Sequence, residues 1–169
     1  CSLWWSSVPA YMNHRVGLIG HYSAIDLEAG TRILAFAEET LQNHLCEFVI
    51  APMDGSTWFR YRFVTHRGND PSFFLEPAHP EQWPGHFLLR EFKPFAKYFS
   101  TKSEDLAQLD PRVPRTEKRL LHQGIKIRQF NSSDFEGEMN RIYDVSIESF
   151  QRNFLYTPVD RSTFFNLYQ

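Results

Sequence analysis

The most chemically distinctive stretch of this sequence is Asp54-Gly55-Ser56-Thr57-Trp58-Phe59-Arg60-Tyr61-Arg62-Phe63. Read as extended chain, its alternation sets Trp58, Arg60 and Arg62 on one face and Phe59, Tyr61 and Phe63 on the other. Guanidinium groups bond carboxylates and phosphates bidentately and stack on aromatic rings, so that first face suits an anionic or planar substrate group. The same pattern also fits a strand with buried aromatics and solvated arginines, or an interface anchored by aromatic and arginine side chains.

The remaining reactive side chains are scattered. His21 ends an apolar stretch, Val16 to Tyr22, and either serves as a base or substrate contact or is a satisfied, partly buried histidine. Cys46 follows His44 at the start of an apolar run, which reads as a small core thiol rather than a nucleophilic pair. The seven histidines give no metal signature: His79 and His86 are separated by Pro80 and Pro84, and neither His-Glu-x-x-His nor Cys-x-x-Cys occurs. No metal site is expected.

Composition narrows the setting. Leu, Ile, Val and Phe supply 46 of 169 residues and the net charge is −2, which excludes general disorder. No apolar run approaches the roughly 18 residues that would span a bilayer, and no basic patch suits nucleic acid or an anionic membrane. Neither is expected as a partner. Two cysteines cannot build a disulfide framework, so a reducing, cytoplasmic location is expected. The chain starts at Cys1 within an apolar run and stops inside a periodic segment, so both ends read as cut.

The elements that must position these groups follow from periodicity. Leu3-Trp4-Trp5 and Val16 to Tyr22 read as strands, the second interrupted by glycine, which often marks a bulge or close backbone approach. Asp26 caps a helix whose Ile33, Leu34, Ala37, Leu41 and Leu45 recur at helical spacing. Glu47 to Ala51 is a short strand, and the strand–helix–strand order implies a parallel pair. Strands are further expected at Trp58–Val64, Ser72–Glu76, Lys93–Thr101 and Ile125–Phe130, with a short helix from Glu81. Charges and prolines over residues 102 to 117 suggest a boundary. Beyond it a turn falls at Gly124, Ser133 and Glu136 form a capping box, and a last helix starts near Asp160.

This order resembles the coenzyme A-binding half of the GNAT acyltransferase superfamily. Ile127-Arg128 followed by Asp134-Phe135 resembles the opening of a second such unit. The fold class expected is α/β (α+β), with a GNAT-like mixed, mostly antiparallel sheet, one parallel strand–helix–strand crossover and flanking helices. The implied domains are residues 1–103 as the later part of one unit, 104–121 as linker and 122–169 as the beginning of a second. In that family a splayed strand meets the pantetheine, and a loop of pattern Gln/Arg-x-x-Gly-x-Gly/Ala meets the pyrophosphate. Val16 to Tyr22 would be the splayed strand and Gly30 the last small position of the loop, whereas Ile25 and Glu28 depart from the pattern. Phe87 stands where the family's general-acid tyrosine belongs, and a phenyl ring cannot protonate a thiolate.

The resemblance therefore implies acyl-CoA-dependent N-acyltransfer, with acetyl-CoA or another acyl-CoA as co-substrate and an amine of a small molecule or peptide as acceptor, in a chain whose first half is degenerate. The alternative is a non-catalytic GNAT-like structural or interaction module. A more distant one is an aminoacyl-transferase-like relative with another donor. The cofactor contacts implied are Ile19, Gly20, His21 and Gly30; Trp58, Arg60 and Arg62 are the acceptor-side or interdomain candidates, and the catalytic residues are left unassigned. Gln151 to Pro158 corresponds to a segment that lines the acceptor side in the family, and a homodimer or intramolecular partner domain is a further expectation.

Overall fold

A computed structural model describes every residue except Phe74, Leu75, Leu106, Gln108, Leu109 and Gln169. The fold is mixed α+β. Among the described residues it comprises a three-stranded sheet and five α-helices. The chain divides into two compact units, Cys1–Lys93 with Tyr143–Gln169, and Pro94–Ile142.

The sheet of the first unit has the order β1-β2-β3. β1 (Ser2–Trp4) runs antiparallel to β2 (Val16–Gly20), pairing Ser2 with Gly20 and Trp4 with Leu18. β2 pairs in parallel with β3 (Phe48–Ile50), in the register Val16 to Phe48 and Leu18 to Ile50. All five β2 residues are buried, as befits a central strand covered on both faces.

Between the parallel strands runs α1 (Leu27–Asn43). Asp26 caps it through its side chain, which accepts the Ala29 N–H at 2.8 Å. Leu34, Ala37 and Leu41 are buried from its inner face, as the spacing predicts, and they join Ile19, Tyr22 and Phe87 in one core. Leu45, the last residue of the expected stripe, lies past the helix end at φ +63° and is exposed. A second core, on the other face of the sheet, gathers Val16, Leu18, Ile50, Met53 and Leu155. The short helix α2 (Trp83–Leu89) begins two residues later than Glu81 and buries His86 and Phe87.

Three expected strands are absent among the described residues, the third of them in the second unit. Residues 57 to 64 are irregular, because their rings take separate partners: Trp58 enters the C-terminal aromatic cluster, whereas Phe63 packs on Phe87 and His79. Lys93 to Thr101 is also irregular, and almost all of it is exposed, so alternation there meets no neighbouring strand. The strand expected over Ser72–Glu76 includes Phe74 and Leu75, outside the described residues.

The second unit carries α3 (Arg112–His122), which occupies much of the segment read as linker. Its end is closed by the bonds Gly124 N–H to Leu121 C=O and Ile125 N–H to Leu120 C=O, with Gly124 at φ +78°. Residues 125 to 130 are irregular rather than strand. Helix α4 (Phe135–Phe150) follows a 3₁₀ turn at Ser132–Asp134. Because Ser133 sits inside that turn, capping passes to its neighbours. Asn131 accepts the Ser133 N–H at 3.2 Å, and Asp134 accepts the Gly137 N–H at 3.2 Å. Glu138 is buried and held by Arg128 at 2.7 Å and Arg141 at 2.9 Å.

Within the first unit, the C-terminal segment adds α5 (Arg161–Asn166), capped by Asp160, which accepts the Thr163 N–H at 2.9 Å. Further bonds from Ser162 and Thr163 hold the Asp160 carboxyl far below the usual carboxylate range. No helix among the described residues is long and apolar enough to cross a membrane.

Candidate functional site

Parallel strands present their carboxyl ends, and the loops that leave them, as the natural place for a ligand in α/β structures. In this chain the carboxyl end of β2 and the loop after β3 meet. Met53 N–H donates to Ile19 C=O at 2.9 Å, and Asp54 accepts the backbone N–H of His21 at 2.5 Å. Gly20 makes that approach possible. A Cβ there would stand 2.3 Å from the Met53 carbonyl oxygen and 2.5 Å from Asp54 Oδ1. The loop is fixed further by Asp54 N–H, which donates to Arg60 C=O at 2.8 Å.

His21 turns out of β2 at φ +45°, a left-handed conformation that is costly for a residue with a Cβ. Its ring Nδ1 lies 3.1 Å from Ser2 Oγ, and its Nε2 lies 3.6 Å from Asp54 Oδ2. The His21 side chain is 62% exposed and that of Asp54 only 11%, so the carboxylate is shielded while the ring faces solvent. The Trp4 ring stands edge-on to the imidazole at 5.5 Å. Sequence spacing does not point to Ser2 or Asp54 as partners of His21. They are 19 and 33 residues from His21, and only the pairing of β1 with β2 and the turn after β3 unite them.

The other cofactor candidates split. Ile19 is fully buried, with its side chain in the α1 core, so only its backbone faces the β3 loop. Gly30 lies where α1 passes Tyr22 and His86: an added Cβ would fall 2.5 Å from Tyr22 Oη and 2.3 Å from His86 Nδ1. Those two groups form a buried hydrogen bond of 2.7 Å, and burial pushes the Tyr22 phenol up to about 12. Gly30 thus serves helix packing. The first turn of α1 carries Glu28 beside the Asp26 cap, so two carboxylates stand where a pyrophosphate would be received. These residues do not fit a phosphate group.

Trp58, Arg60 and Arg62 go to different surroundings. Trp58 donates its indole N–H to Thr157 C=O at 2.9 Å, and its ring packs against Phe150, Tyr156 and Phe164. Arg62 donates to Tyr61 Oη at 2.7 Å and stacks over that ring, while Arg60 is exposed. The Gln151 to Pro158 segment supplies the Trp58 cluster.

His79 and Cys46 have structural partners. His79 Nε2 accepts the Val64 N–H at 2.8 Å, which leaves Nδ1 to donate to Pro80 C=O at 2.9 Å. Cys46 packs beside the α1 core and burial pushes its thiol up, while the neighbouring His44 ring stacks on Trp5 at 3.9 Å. Phe87 is buried among Tyr22, Phe63 and Phe92. Among the described residues, no group of three or more His, Cys, Asp or Glu could hold a metal ion. A separate open groove of about 450 Å³, lined by Cys1, Leu3, Arg32, Ile33 and Phe36, takes in none of the candidate cofactor or substrate residues. No family model matches the chain, and no similar curated protein or solved structure was found.

Proposed function

We propose that this chain is a GNAT-like unit of an acyl-CoA-dependent N-acyltransferase, degenerate at its pyrophosphate subsite. The observation that carries the reading is the arrangement of β1 antiparallel to β2, followed by α1 and a parallel return to β3. In this reading acetyl-CoA or another acyl-CoA is the co-substrate, and Ile19, Gly20 and His21 are the residues that would meet its pantetheine arm, in competition with Met53 and Asp54, which take the Ile19 carbonyl and the His21 N–H. The acceptor is an amine, and the exposed Arg60 is the candidate contact for an anionic or planar portion of it. Asp26 and Glu28 at the α1 N-terminus disfavour the phosphates of coenzyme A.

Those same carboxylates, with Gly30 given to packing and Phe87 to the core, favour a second reading. In it the chain is a non-catalytic GNAT-like module, and a homodimer or partner domain supplies its role. Calorimetric titration with acetyl-CoA separates the two. Binding with Kd below about 100 μM, roughly −5.5 kcal/mol, supports the acyltransferase reading. A titration without heat up to millimolar ligand, at two temperatures, removes it and leaves the module.

A further inference from the structure

We propose that Ser2, His21 and Asp54 form a nucleophile–base–orienter relay that takes an acyl group from activated carboxylic esters. The relay is independent of the acyl-CoA reading, since it needs no phosphate subsite. Three separate elements supply it: Ser2 from β1, His21 from the end of β2 and Asp54 from the loop after β3.

The hydrogen-bond roles are mutually consistent. Nδ1 lies 3.1 Å from the Ser2 hydroxyl, which donates to it when the ring proton is on Nε2. Once Nδ1 has taken the serine proton, the imidazolium's Nε2 stands 3.6 Å from Asp54 Oδ2, an ion-pair distance rather than a hydrogen bond. Asp54 fixes the histidine through its backbone, since its Oδ1 accepts the His21 N–H at 2.5 Å. This arrangement is a nucleophile, a base within hydrogen-bond reach and a carboxylate that orients the base, in the looser geometry usual before substrate binds. Two backbone features accompany it. Gly20 leaves room for the Asp54 turn, and His21 adopts φ +45°. Unusual backbone of this kind clusters at functional sites. Trp4 flanks the imidazole and offers an apolar wall to an ester group.

In the reaction, Ser2 Oγ attacks the ester carbonyl carbon while its proton passes to His21 Nδ1. The tetrahedral adduct collapses as the bond to the alkoxide breaks, and the alkoxide takes the proton from Nδ1, leaving Ser2 acylated. Water, deprotonated by the same Nδ1, then attacks the acyl carbon, and the proton returns to Ser2 Oγ as the carboxylic acid departs.

A fluorophosphonate probe reads the first half of this chemistry directly, because the serine oxygen displaces fluoride and stays bound to phosphorus. Peptide mass spectrometry of the intact chain is expected to find the adduct on Ser2. Labelling should vanish in Ser2→Ala and fall at least about tenfold in His21→Gln and Asp54→Asn, with circular dichroism confirming that each variant folds. Absence of label on the folded wild-type chain overturns the proposal, as does label on another residue or labelling that survives His21→Gln. Hydrolysis of p-nitrophenyl acetate provides a second readout: a rate unchanged by Ser2→Ala also overturns it.

Discussion

At the residue scale, the buried Tyr22–His86 pair makes the sharpest predictions. In Gly30→Ala the new methyl group meets both members of the pair, at 2.5 and 2.3 Å. Overpacking of this kind costs about 1–3 kcal/mol, read as a lower denaturant midpoint at unchanged slope. Tyr22→Phe leaves His86 Nδ1 buried without its partner and should cost a similar ~1–3 kcal/mol. The pair also sets a pH dependence. The Tyr22 phenol ionises near 10 when unfolded and at about 12 when folded, so the unfolded chain releases its proton first. Stability supplied by Tyr22 is therefore complete below pH 10 and is lost as pH rises from 10 through about 12. Unfolding of wild type and Tyr22→Phe across that range checks this: the difference between them should shrink as pH rises. Glu28 is the residue for which ligand binding gives the readout. If its carboxylate opposes phosphate at the α1 N-terminus, Glu28→Gln should tighten acetyl-CoA binding by several-fold, on the order of 1 kcal/mol, and most at low salt.

Among the elements, α1 depends on Asp26 for its start, and Asp26→Ala should cost ~1 kcal/mol with fraying confined to the first turn in hydrogen exchange. This helix was legible in the sequence because its burial repeats every 3.6 residues, and Leu34, Ala37 and Leu41 are indeed its buried face. The parallel β2–β3 pair was legible for a related reason, since a helix separates two short apolar runs. The stretch from Trp58 to Phe63 was not legible, because period-two alternation describes a strand only when a neighbour supplies the ladder. Here Trp58 is drawn to Phe164, Tyr61 to the core under Leu18 and Phe63 to Phe87. Local sequence carries none of those distant partners. The same limit hid Ser2 and Asp54. His21 stood out as a lone imidazole at a strand end, but its partners arrive through strand pairing and a loop after β3.

For the whole molecule, the feature of most consequence is that the first unit is discontinuous in sequence, with Tyr143–Gln169 folding together with Cys1–Lys93. The lock inside that unit is Trp58, bonded to Thr157 and ringed by Phe150, Tyr156 and the fully buried Phe164. Trp58→Ala should destabilise this unit by no more than about 3 kcal/mol, because the indole is half-buried. Hydrogen exchange should show protection lost in α5 before it is lost in α1. Under the proposed function, the carboxyl end of β2 receives an acyl-CoA although Asp26 and Glu28 stand at the start of the neighbouring helix. Amide chemical-shift mapping with saturating acetyl-CoA reads out that binding residue by residue. Shifts are expected to concentrate at Ile19, Gly20 and His21, with little change at Leu27 to Gly30. No shifts at millimolar acetyl-CoA, or shifts confined to residues away from the β2 end, would contradict it.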